Sequence, residues 1–185
     1  MNQLRYASHA LWQRIVAVDE SLHQQICSLE RAWITPFMRG ITRTGDMASW
    51  IVFCLLLLAM GESTRRYFVY IATACLAGSL AAKFLKILWR RPRPCDGADA
   101  SMSLIEIPDK YSFPSGHTAT VFAVCAALPE EGTLLVPFFV GWALLIGVSR
   151  IYLRAHYPLD VLVGMLVGAA SGWLVKIGLV AAGIV

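Results

Sequence analysis

Six residues stand out in this largely apolar sequence because their types and spacing could do chemistry: Lys86, Arg93 and Arg150, His117 and His156, and Asp160. Three fixed cations with no matching local set of carboxylates suit a multiply charged anion, and Arg forks match phosphate oxygens. Pro114-Ser115-Gly116-His117 opens a predicted helix, so its free backbone amides and positive dipole end point at the same anion. Gly116 permits close approach there. Two histidines beside a bound phosphoryl group can divide the work of nucleophile and general acid. His156 and Asp160 are four apart across Pro158, a favoured first-turn residue, which lets the carboxylate reach back and fix one imidazole tautomer. Taken singly, each has an ordinary explanation as a topology signal, a headgroup contact or an interfacial histidine. Their combination is what calls for chemistry.

The elements that must position these residues are membrane helices. The 185 residues are 57% hydrophobic and only 15% charged, against about 25% charged in a soluble domain. Five runs lack Asp, Glu, Lys and Arg: Met47 to Gly61, Tyr67 to Ala82, Tyr111 to Pro129, Gly132 to Ser149 and Val161 to Val175. Each is near the roughly 20 residues that cross a bilayer once flanking Lys and Arg snorkel outward. The expected fold is therefore all-α, a polytopic transmembrane bundle of about five spans, possibly six. If each run crosses once, Lys86 to Arg93, Ser115 to His117, Ser149-Arg150 and His156 to Asp160 all reach one side. A long connector, residues 89–114, joins the spans built on the Tyr67 and Tyr111 runs. It carries Pro92, Pro94 and Pro108, Gly97 and four acids.

Residues 1–45 form a segment apart from the transmembrane domain, residues 46–185. Leu11, Trp12, Ile15, Val16, Val18, Leu22, Ile26 and Leu29 recur at helical spacing, opposite Gln, Arg, Asp and Glu. Such an amphipathic helix lies in the interface or packs on the bundle. Gly164, Gly168 and Gly172 line one face of the last helix for close contact, within the monomer or across a dimer. The five cysteines show no C-x-x-C spacing, and structural burial accounts for them. The net charge of +4 is explained by lipid headgroups, with no nucleic acid required.

Lys86-x6-Arg93-Pro94, Pro114-Ser115-Gly116-His117 and Ser149-Arg150-x5-His156-x3-Asp160 together resemble the three-part signature of the type 2 phosphatidic acid phosphatase superfamily, in order and without substitution. The resemblance covers Lys86 to Asp160 and says nothing about residues 1–45. It implies that His156 attacks phosphorus to form a phosphohistidine, that Asp160 orients it, and that His117 protonates the departing oxygen. Lys86, Arg93, Ser115, Gly116 and Arg150 would bind the phosphoryl oxygens, with no metal and no cofactor. The implied substrate is a lipid phosphate or diphosphate, undecaprenyl diphosphate first. Phosphatidylglycerophosphate, phosphatidic acid and lipid A remain alternatives, as do phosphoryl transfer to another lipid and non-catalytic binding of lipid phosphates. The implied location is a bacterial inner membrane with the site facing outward. Against that orientation, Arg5, Arg14, Arg31, Arg39 and Arg43 fall on the site's side and only Arg65 and Arg66 opposite, which by the positive-inside rule makes the site cytoplasmic.

Overall fold

The computed structural model describes residues 2–96, 103–107, 109–129 and 135–184, and among these every regular element is helical. In chain order they are α1 (Asn2–Ser28), α2 (Ile34–Thr44), α3 (Met47–Ala59), α4 (Glu62–Trp89), α5 (Gly116–Ala127), α6 (Leu135–Tyr152) and α7 (Pro158–Ala181), with one 3-10 turn at Pro94–Asp96. The protein is an all-α membrane bundle. Its helices α3 to α7 correspond one to one with the five apolar runs.

Helices α4 and α7 are long and apolar enough to cross a membrane alone. Helices α2 and α3 qualify only together, bent by 56° at Gly45-Asp46. Residues Glu62 to Arg66, between the first two apolar runs, are the first turn of α4. Helix α4 ends at Trp89 because Arg90 adopts a left-handed conformation and Pro92 cannot continue a helix.

The third run corrects the expectation most. Tyr111 to Pro129 is apolar enough for a span, yet α5 has only 12 residues, about 18 Å of helix against about 30 Å of hydrocarbon. Residues 111–115 are non-helical. Backbone of that kind survives at membrane depth only where protein, not lipid, surrounds it. Here α5 is the central helix, with Thr118, Ala119, Val121, Ala123 and Val124 fully or almost fully buried between α4 and α7.

Glycines make that enclosure possible. A Cβ on Gly168 would lie 2.2 Å from the Ala119 carbonyl oxygen, and one on Gly172 would lie 2.0 Å from that of Ala123. Gly78 of α4 meets the opposite flank, where a Cβ would come within 2.8 Å of the Ala119 oxygen. The small-residue face of α7 thus packs within the monomer. Ser115 at the head of α5 donates its backbone N–H to the Asp160 carbonyl at 2.9 Å, which locks the two helix starts together.

Helix α1 turns its apolar residues outward: Leu11, Trp12, Val18 and Leu22 are exposed, while Asp19 and His23 are buried against the bundle. Asp19 accepts the Leu159 amide at 2.7 Å and Arg91 at 2.6 Å. Farther along, Arg154 donates to Glu30 at 2.7 Å.

Gly168→Ala and Gly172→Ala are each expected to destabilise the bundle by about 2 kcal/mol or more, because the obstructing atoms are backbone and cannot rotate away. Thermal unfolding in detergent measures this, with Gly178→Ala, whose Cβ would meet nothing within 4 Å, as the unchanged control.

Candidate active site

The ends of α4, α5, α6 and α7 that carry the singled-out residues converge on one cavity of about 370 Å³. Lys86, Arg93, Gly116, His117, Arg150 and His156 all line it. Lys86 comes from the last turn of α4, Arg93 from the connector and Arg150 from the last turn of α6. All three are buried. The cavity continues between α3 and α4 along an apolar wall that includes Met47, Ala82 and Ile87.

Arg93 is fixed by the Ala155 carbonyl at 2.6 Å and the Asp109 carbonyl at 3.0 Å. Lys86 donates to the Tyr111 carbonyl at 3.1 Å. Arg150 donates to the Thr42 hydroxyl at 2.9 Å, while its Nε has no protein partner. Asp109 is the carboxylate that meets these cations: one oxygen accepts Lys86 at 2.5 Å and the other accepts Arg93. Burial alone would raise the Asp109 carboxyl, but Lys86 and Arg93 more than offset it and hold it below the usual carboxylate range. A charge surplus remains. Among the described residues Asp109 is the one carboxylate in contact with any of the three cations, because Asp160 is engaged by Arg91 and Asp46 by His117.

The turn from α6 to α7 places His156 deep in the site, 1% exposed. Its amide donates to the Arg150 carbonyl at 3.2 Å. Asp160, in the first turn of α7, accepts the Tyr157 amide at 2.9 Å and Arg91 at 2.8 Å. The same carboxylate stands 3.5 Å from His156 Nδ1, too long for a firm hydrogen bond but on the side that leaves Nε2 toward the cavity. Burial first, then the charges of Arg150 and Arg93, hold the His156 imidazole well below its ordinary pKa. It is therefore neutral at pH 7, with a lone pair to offer.

The arrangement can take a tetrahedral oxyanion on the cations beside that imidazole. A family model, the PAP2 superfamily, matches residues 66–182. The chain belongs to the PAP2 superfamily. Among its relatives, the decaprenylphosphoryl-5-phosphoribose phosphatase of Mycobacterium tuberculosis is 31% identical over 87% of this chain and 86% of its own length. Undecaprenyl-diphosphatase BcrC of Bacillus subtilis is 30% identical over 67% of this chain and 66% of its own. The crystal structure of Aquifex aeolicus LpxE superposes with a TM-score of 0.71 at 25% identity, covering 84% of this chain and 92% of that one. This protein is a membrane lipid phosphatase of that family.

Around the signature residues the fold supplies supporting partners, and Ser115, expected among the phosphoryl ligands, stands behind the cavity instead of lining it. Ser115 is fully buried and its hydroxyl accepts Thr118 at 2.9 Å, behind the cavity wall that Gly116 and His117 form. Arg91, noted only as part of a basic cluster, clamps Asp160 and Asp19 together and stacks 4.1 Å over the Tyr157 ring. Asp109 was visible only as one of four connector acids, and Asp46 only as part of a helix break. Among the described residues, no three His, Cys, Asp or Glu side chains come together as a metal site.

Asp109 holds Lys86 and Arg93 as two oxygens of a phosphoryl group would. Asp109→Asn is therefore expected to tighten competitive inhibition by inorganic phosphate or vanadate at least about fivefold. That is a fraction of the roughly 4 kcal/mol that unit charges 4 Å apart carry at an effective dielectric of 20. Inhibition constants measured in detergent check it, and weaker binding would mean that Asp109 organises the cations instead of competing for them.

Proposed function

We propose that the cavity hydrolyses a phosphoryl group from a prenyl diphosphate, undecaprenyl diphosphate first, through a phosphohistidine. The observation that carries this is the unbalanced charge: three buried cations against one carboxylate, beside a neutral, buried His156. Leaving such charge unpaired is costly, and a phosphate oxyanion removes the cost. Lys86, Arg93 and Arg150 hold the non-bridging oxygens, with the Gly116 amide, and Ser115 after a small rearrangement, adding hydrogen bonds as charge spreads. The Nε2 lone pair of His156 attacks phosphorus while Asp160 and Arg91 keep its ring oriented. The P–O bond to the lipid breaks, and the leaving oxygen takes a proton from His117. Water then attacks the phosphohistidine and gives its proton to His117, and the P–N electron pair returns to His156. The positive charge that a metal supplies elsewhere comes from the three cations and the start of α5.

The apolar wall between α3 and α4 suits a hydrocarbon tail beside a charged head. The names of the Mycobacterium and Bacillus relatives, both prenyl-lipid phosphatases, support a prenyl chain. A carrier lipid is recycled where its diphosphate is released, so we place the site on the outer face of a bacterial inner membrane. There α1 lies in the outer leaflet with its exposed apolar face among the lipids.

Purified enzyme is expected to release phosphate from undecaprenyl diphosphate faster than from phosphatidylglycerophosphate or lipid A, and EDTA should leave the rate intact. The reverse preference, or strict dependence on added Mg²⁺, would overturn this assignment. His156→Ala should lose at least about 1,000-fold in kcat. His117→Ala should lose about 100-fold on the lipid and much less in the first step on an activated aryl phosphate, which departs without a proton. For orientation, a Lys110→Cys variant in a cysteine-free background should react with an impermeant thiol reagent on intact cells whose outer layer has been permeabilised. Reaction only after the inner membrane is broken would put the site in the cytoplasm.

A further inference from the structure

The break between α2 and α3 brings a second carboxylate to the site. Asp46 stands at the N-cap of α3, where Asp ordinarily accepts the free amides of the first turn. It makes no such bond. Its carboxylate turns away from its own helix, and Oδ1 lies 2.6 Å from His117 Nε2 at the head of α5. Gly45 packs beside the pair: a Cβ there would be in ordinary contact with the His117 ring at 3.4 Å and tight against Ile146 at 3.2 Å. A capping carboxylate diverted from its helix has given up a stabilising bond, and helix stability does not explain the diversion.

We propose that Asp46 is the positioning residue of His117, holding it in the tautomer that delivers a proton to the leaving oxygen from Nδ1 and recovers one from water at the same atom. The inference rests on the phosphohistidine reading above and adds a residue from outside the three-part signature. With Nε2–H donated to Asp46 throughout, the imidazolium gives up its Nδ1 proton as the P–O bond breaks and the electron pair passes to the lipid oxygen. The neutral ring then presents the Nδ1 lone pair to the attacking water and regains a proton from it as the new P–O bond forms and the P–N bond breaks, its electron pair returning to His156. No proton is lost or gained over the cycle except those of the water consumed. The charged groups around the ring are Arg150 from α6, Lys86 from α4 and Asp46 itself. Two of the three are cations that repel an imidazolium, so Asp46 supplies the balancing negative charge. Each histidine then has its own carboxylate, Asp160 for His156 and Asp46 for His117.

The test is Asp46→Asn, which keeps size and removes charge, assayed against undecaprenyl diphosphate and p-nitrophenyl phosphate in full-length enzyme. Expected are an approximately 100-fold fall in kcat on the lipid, a KM within about twofold of wild type, and a p-nitrophenol burst within about threefold of wild type, followed by accumulated phosphoenzyme because the second step lacks its base. In a His117→Ala background the same substitution should change nothing further. Equal losses on both substrates with a lowered melting temperature would reduce Asp46 to a structural residue. A rise in activity would make it a competitor for the His117 proton, and either result overturns the inference. If instead wild-type enzyme forms no acid-labile phosphoenzyme, the phosphohistidine reading itself fails, and the two failures are told apart.

Discussion

Like charges crowded into one buried cavity repel, and the architecture is organised around holding Lys86, Arg93 and Arg150 together in spite of that. Each is supported by a different neighbour: the Tyr111 carbonyl, the Ala155 and Asp109 carbonyls, and the Thr42 hydroxyl. Carbonyl dipoles give partial compensation without neutralising the cations, which leaves the charge available to a ligand. A fully carboxylate-paired site would be more stable and would bind phosphate less well. The elements that supply these supports are the connector, the α6–α7 turn and α2, so segments that carry little hydrophobic burial are still constrained by the electrostatics of the site.

Much of this was legible in the sequence because the signature residues sit at helix ends, and apolar runs of similar length bring alternate ends to the same side. The five runs became α3 to α7, and the helix-start glycine and histidine of α5 line the cavity as their spacing implied. Hydropathy misjudged α5 for a physical reason: it measures whether residues tolerate an apolar environment, and residues 111–115 tolerate it while enclosed by protein and not coiled. The partners of the catalytic groups were hidden for another reason. Asp19, Asp46 and Asp109 are ordinary surface-type acids in local context, and they meet Arg91, His117 and Lys86 across 72, 71 and 23 residues of chain. Only the packing of α1, the α2–α3 bend and the connector makes them neighbours.

The Asp19–Arg91–Asp160 chain shows how far such support reaches. Asp160 is fully buried and paired with Arg91, and Arg91 in turn is held by a carboxylate on α1. Residues 1–45, outside the signature, thereby bear on the orientation of His156. Thr42 from α2 and Asp46 from the α2–α3 break do the same for Arg150 and His117.

The short, enclosed α5 also bears on how the protein is made. A helix of about 18 Å with non-helical residues leading into it has no stable place of its own in lipid. During synthesis it emerges before α7, whose glycines form one of its two walls. The nascent chain must therefore keep α5 sheltered against α4, or within the insertion machinery, until α7 arrives. His117 enters on α5, while Asp160 is part of α7 itself, so the two come together only once α7 has been made. An incomplete chain in the membrane is chemically silent toward the lipids around it.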